Sequence, residues 1–349
     1  MQDMFSKQGP AAAGTIAVRM LAGSLALCLP LALAGCASSL SPHVTALSAA
    51  TAPVVDQATA AYHNAQAIHA ESVNYDAAAS FDQTNVFVPA SVQAWPSDKD
   101  IQVRLAVLTA FQLYVKDLAA VTGNTDSPAL DAASKSMGES LTSLANTVAP
   151  PVEAALGVTP APSSSTTTTT TTTSGGTTTT TTSSGSTLPP LISPDAANAV
   201  SVAIDALGQF LVNRTVEKAL PQQIEAMDPH VQTLCELLAK DIEIIQEQEK
   251  IDSNDVIDRQ TDFLRTAKLD PEERRVEFMK LPDMARRQSA NDQALTQLRA
   301  AIVNLEMTHH ALAAAAQGNN PESLTDRLKD LSAAGESLGK LYGSLSSAN

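Results

Sequence analysis

Cysteine, aromatic rings and positive charge are all scarce in this 349-residue chain. Of three cysteines, two (Cys28 and Cys36) fall near the start. Cys235 stands alone in the body of the chain, which rules out an intramolecular disulfide there and leaves stability to a packed core. Aromatic residues make up 3%, too few for the ring platforms of single-strand nucleic-acid binding or for a typical sugar cleft. Acids outnumber bases, 37 to 22, for a formal net charge of −15. Such a surface repels phosphate backbones, so no nucleic-acid partner is expected. It also offers no basic patch to anionic lipid. Alternating apolar and polar runs are missing too, which argues against strands.

What is present begins with a leader. Lys7 and Arg19 lie in a loosely polar start, and Met20 to Ala34 is almost wholly apolar. That run is shorter than the roughly 20 residues a membrane-spanning helix needs. A basic start, a short apolar core and small residues at its end describe a secretory signal. No later stretch reads as a membrane span. Leu33-Ala34-Gly35-Cys36 resembles the lipobox of bacterial lipoprotein precursors, while Ala32-Leu33-Ala34 also satisfies the small-x-small rule for ordinary cleavage. The resemblance covers only the signal and Cys36. It implies cleavage before Cys36, acylation of its thiol and acylation of the new amino terminus, with palmitate-type chains. Two or more such chains hold a membrane stably, at about 0.8 kcal/mol per buried methylene. Ala37 and Ser38 lack the aspartate that retains such proteins at the inner membrane. The resemblance therefore implies the periplasmic face of the outer membrane in a diderm host.

The rest divides at a composition shift. Residues 1–35 form the signal and 36–157 an N-terminal helical region of three helices. Residues 158–192 form a linker, and 193–349 a C-terminal helical region. Residues 163–187 contain only Ser, Thr and Gly. They bury no apolar surface, which predicts a disordered tether; the composition also suits O-linked sugar. The pattern leaves open whether the two regions form one bundle or two.

Helix starts are marked by a capping residue followed by proline at Ser41-Pro42, Ser127-Pro128, Ser193-Pro194, Asp228-Pro229, Asp270-Pro271 and Asn320-Pro321. The cap side chain accepts from a first-turn amide, and proline at the first helical position forfeits no bond. Glu273, three residues after Asp270, completes a capping box. Apolar spacing of three and four predicts helices over roughly 42–73, 98–122 and from 128. Beyond the linker it predicts one ending near Pro221, a long one from 229 to about 266 and a short one over 271–280. Two more follow, marked by Leu295 to Leu312 and by Leu324 to Leu345. The fold class is all-α, an antiparallel helical bundle or bundles. Gly123-Asn124 followed by Gly138-Glu139-Ser140-Leu141 echoes Gly318-Asn319 followed by Gly335-Glu336-Ser337-Leu338, at spacings that differ by two residues; the bland reading is low-complexity coincidence and the other a duplicated helical hairpin.

Candidate chemistry is sparse. Glu306-x-x-His309 on a helix is half of a ferritin-like di-metal motif, with a plain seam histidine as the bland reading. Gly335-Glu336-Ser337-Leu338-Gly339 matches a nucleophile elbow in letters, but the elbow needs a preceding strand. Cys235 among leucines reads as a small core residue. Asp252, Asp255, Asp258 and Asp262 lack the glycine and twelfth-position acid of a calcium loop and read as a solvated face. A loop over 74–97 carries Tyr75, Phe81, Phe87 and Trp95. Phe81, Phe87 and Trp95 are its candidates for docking a partner, since aromatics concentrate at interface hot spots. The other reading is a strap over the first helices.

Together these readings predict a non-enzymatic, lipid-anchored envelope lipoprotein that binds another envelope protein or itself. No cofactor is called for. The alternatives are a metal-binding bundle using Glu306 and His309, and a small-ligand binder with a cavity between helices.

Overall fold

A computed structural model describes residues 31–87, 94–123, 128–148, 194–213, 220–318 and 321–346. Among them lie seven helices and no strand: α1 (Leu31–Thr84), α2 (Asp98–Gly123), α3 (Pro128–Val148), α4 (Pro194–Asn213), α5 (Leu220–Thr266), α6 (Pro271–Ala316) and α7 (Pro321–Ser346). The all-α expectation is met. The Ser/Thr/Gly tether lies outside the described residues.

Prolines mark four of the expected starts, at Pro128, Pro194, Pro271 and Pro321. The capping box forms as the spacing predicts: Glu273 N donates to Asp270 Oδ1 at 2.8 Å, and Asp270 N to Glu273 Oε2 at 3.1 Å. Pro42 and Pro229 do not start helices. They sit inside α1 and α5, as Pro53 sits inside α1 and Pro282 inside α6. A mid-helix proline frees the carbonyl four residues back. Behind Pro229 and Pro282 those are Glu225 and Phe278, both exposed to water. The expected short helix at 271–280 is therefore the first part of one continuous 46-residue helix. The expected loop over 74–97 is also shorter. Helix α1 continues to Thr84 and stops at Asn85, whose φ of 56° is left-handed, a conformation asparagine tolerates at helix ends.

Helices α1 and α5 run side by side in parallel, since the pairs Tyr62–Asp241, His69–Asp252 and Asp76–Arg259 advance together. Helix α2 returns antiparallel to α1, α6 antiparallel to α5, and α7 antiparallel to α6. Helix α4 packs on α2, α3 and α5, so the chain before the tether and the chain after it share one hydrophobic core. Gly138 and Gly208 make the α3–α4 crossing close: a Cβ built on Gly138 would stand 2.5 Å from the Gly208 carbonyl oxygen.

Contrary to the sequence reading, α2 is long and apolar enough to cross a membrane. It nevertheless carries Arg104 and Asp117 buried in the bundle.

Helix α2 begins beside Gln66 of α1, and α7 ends one turn beyond Tyr342. Past that level α1, α5 and α6 continue as a three-helix arm. At 1.5 Å per residue, α1 carries the chain about 70 Å from Cys36 to Thr84.

Candidate functional site

Polar side chains cross the core at three levels. Nearest the Cys36 end, Tyr114 of α2 bonds His309 Nε2 at 2.8 Å, and His309 Nδ1 meets Asp228 Oδ1 of α5 at 2.9 Å. The other Asp228 oxygen takes His310 Nδ1 at 2.7 Å and Gln232 Nε2 at 2.8 Å. Burial acts to raise the Asp228 pKa, but the bonds from His309 and His310 outweigh it and hold the carboxyl below its ordinary value. Tyr114 is pushed well up by burial and then by Asp228.

At mid-bundle, Arg104 Nε donates to Asp241 Oδ2 at 2.8 Å and Tyr62 donates to the same oxygen at 3.1 Å. All three side chains are buried. Burial opposes the Arg104 charge, but Asp241 more than offsets it and lifts the guanidinium above its usual pKa. Higher still, His69 Nδ1 meets Asp252 Oδ2 at 3.0 Å, Gln248 donates to Asp252 Oδ1 at 2.9 Å, and Trp95 stands edge-on to the His69 ring. Glu249, next to Gln248, buries both carboxylate oxygens without a partner. Burial, then Asp252 and Asp292, push its pKa up to about 8.

The structure does not bring the Glu306 and His309 side chains together. His309 is fully buried and spends both ring nitrogens on Tyr114 and Asp228, whereas Glu306 turns to a surface groove with His310. Among the described residues no three His, Cys, Asp or Glu side chains converge to hold a metal. The groove has a volume of about 400 Å³, and its lining includes Gln232, Met307, Ser323 and Arg327. Burial, then Glu236 and Asp228, raise Glu306 above the usual carboxyl range.

The aromatic trio separates. Trp95 is buried at 6% exposure, while Phe81 and Phe87 are exposed at 46% and 57%. Trp95 is therefore packed in the core beside His69 of α1, while residues 88–93 before it lie outside the described residues. Phe81 and Phe87 belong to the arm, where Phe263, Val276, Phe278 and Met279 are also exposed.

The Gly335–Gly339 motif lies within α7. Gly335 allows close contact with Pro53 of α1, and Ser337 donates to Gln297 at 3.3 Å. Cys235 is buried, its thiol pushed up by burial and then by Glu306. Asp252 is a core residue, while Asp258 and Asp262 are exposed. Cys36 falls in the first turns of α1; its side chain lies outside what is described.

Sequence reasoning missed Asp228, Asp241, Arg104, Tyr62 and His69. Compared with known proteins, the chain matches no family model, no curated protein and no solved structure.

Proposed function

We propose that this chain is a non-enzymatic lipoprotein of a bacterial envelope, anchored by lipid on Cys36 and docking a partner protein through its three-helix arm. One observation carries the reading. The helix that begins at the lipobox-like Leu33–Cys36 stretch is the same helix that delivers Phe81 to the arm, about 70 Å away. An anchor at one end and exposed apolar side chains at the other suit a tethered spacer that reaches from a membrane to another envelope protein. Phe81, Val86, Phe87, Phe263, Val276, Phe278 and Met279 form that apolar set, and clustered exposed apolar surface marks interaction sites. Tyr114 and His309 are bonded to each other, and Tyr62, Arg104, His69 and His309 to buried aspartates, which suits a structural role for them. With Ala37 and Ser38 after the cysteine, the reading places the protein on the periplasmic face of the outer membrane in a diderm host.

Crosslinking and pull-down from intact cells test it. The native protein should capture a partner, or a second copy, that the combined Phe81→Ser, Phe87→Ser and Phe278→Ser variant loses. Identical capture by both would remove the arm from the account.

The groove beside His310 favours a second reading, a small-ligand binder. At about 400 Å³ it is within the size of ordinary ligand sites, and ligand-dependent melting shifts would reveal it.

A further inference from the structure

The groove over α5, α6 and α7 carries charges of both signs that the fold leaves unspent. Glu306 of α6 and Arg327 of α7 both line it. Among the described residues neither side chain forms an ion pair, and the Arg327 guanidinium reaches only the Met307 sulfur, at 3.7 Å. The Glu306 carboxylate stands in a surplus of negative charge. Burial, then Glu236 and Asp228, act against its ionised form, and His310 offsets them only in part. Gln232 of α5 gives its amide nitrogen to Asp228 at 2.8 Å, which leaves its carbonyl oxygen as an acceptor without a donor among the described residues. His310 meets the same aspartate through Nδ1 at 2.7 Å. With that proton on the Asp228 side, the neutral ring offers Nε2 as a further acceptor. The Glu306 side of the groove is thus built to accept hydrogen bonds from a cation.

The α7 side has the opposite character. Arg327 supplies a guanidinium whose planar donors match a carboxylate. Ser323 adds a hydroxyl in the first turn of α7, where the helix end carries partial positive charge. Between the two sides, Met307, Ala311 and Ala314 of α6 give an apolar surface with little bulk. At about 400 Å³ the space suits a small ligand. One carrying a single charge would meet one side and leave the other unpaired. Resting on the reading of this groove as a small-ligand site, we propose that it binds a small zwitterion, with the ammonium held by Glu306 and Gln232 and the carboxylate by Arg327 and Ser323. Free amino acids and short peptides share that chemistry.

The test melts the full chain in detergent with each common L-amino acid, with alanyl-alanine and leucyl-leucine, and with succinate, putrescine and glucose as controls. At least one zwitterion should raise Tm by roughly 5 °C at 100-fold excess over its Kd. A rise with the dipeptides alone identifies a peptide ligand, and one with the monomers alone a free amino acid. Calorimetry then compares that zwitterion with its N-acetyl and its carboxamide forms, each of which should bind about ten-fold more weakly. Glu306→Gln should weaken the zwitterion about ten-fold and leave the N-acetyl form unchanged, whereas Arg327→Gln should weaken it equally and leave the carboxamide unchanged. Ala311→Trp, which fills the groove, should abolish all binding. If only a control compound raises Tm, and Ala311→Trp removes that rise, the zwitterion is overturned and the small-ligand reading stands. No rise with any compound would overturn both, and undiminished zwitterion binding in Glu306→Gln and Arg327→Gln would overturn the proposed contacts.

Discussion

Tyr114 and His309 bond at 2.8 Å inside the core, and each stands nine residues before a glycine, Gly123 or Gly318, at the end of its helix. The bond joins α2 to α6 across the core. Within the two echo stretches, Gly138 meets α4 closely and Gly335 meets α1. Leu141 and Leu338, three residues on, are both fully buried.

Removing the Tyr114 hydroxyl leaves His309 Nε2 buried with no partner. Tyr114→Phe should cost about 1–3 kcal/mol in urea unfolding. The same substitution in a His309→Leu background should cost much less. Equal costs in both backgrounds would show that the two rings are not coupled.

Arg104 and Asp241 present a stronger case, because the pair is charged and dry. Arg104→Met should destabilise by about 3–5 kcal/mol, since Asp241 keeps its burial and loses its counter-charge. Adding Asp241→Leu should recover most of that loss. Chemical denaturation of the single and double variants gives the comparison, and a double variant no better than Arg104→Met would contradict it.

Gly138→Ala puts a methyl group against the Gly208 backbone and the Val212 side chain. Overpacking of this kind costs about 1–3 kcal/mol. Hydrogen exchange should speed up in α3 and α4 and stay unchanged in the arm. Uniform exchange changes would mean that the crossing is not locally decisive.

Two carboxyls give pH effects of opposite sign. The folded-state pKa of Glu249 is raised to about 8, so the folded chain holds a proton that the unfolded chain releases near the ordinary glutamate value. Stability should be greatest below about pH 4.3 and fall as pH rises toward 8, by an amount on the order of 5 kcal/mol. Glu249→Gln should flatten that slope. Asp228 is held below its ordinary value, so its contribution is present at neutral pH and is lost as pH falls through the folded value. Asp228→Asn should reduce that acid-side loss. Melting temperatures from pH 3 to 9 separate the two, and a Glu249→Gln profile parallel to the native one would refute the assignment.

The helical class was legible because apolar spacing is repetitive and proline marks four true helix starts. Pro42 and Pro229 misled because a long helix fixed by its buried face tolerates a proline on its wet face. The buried polar residues left a trace that periodicity alone could have caught. Asp228 falls between Ile224 and Val231, Asp241 between Leu238 and Ile245, and Arg104 between Ile101 and Leu108. Each keeps the three-and-four spacing of the apolar seam. What the chain does not spell out is the partner: Tyr62 finds Asp241 across 179 residues and Tyr114 finds His309 across 195. The separation of Trp95 from Phe81 and Phe87 was equally hidden, because it depends on where α1 stops.

The most direct test of the anchored-rod account is the intact mass of the protein taken from its own membranes. The account predicts a chain beginning at Cys36 that carries a thioether-linked diacylglyceryl group and an N-terminal acyl chain. A free thiol on Cys36, or a mature terminus elsewhere, would contradict it.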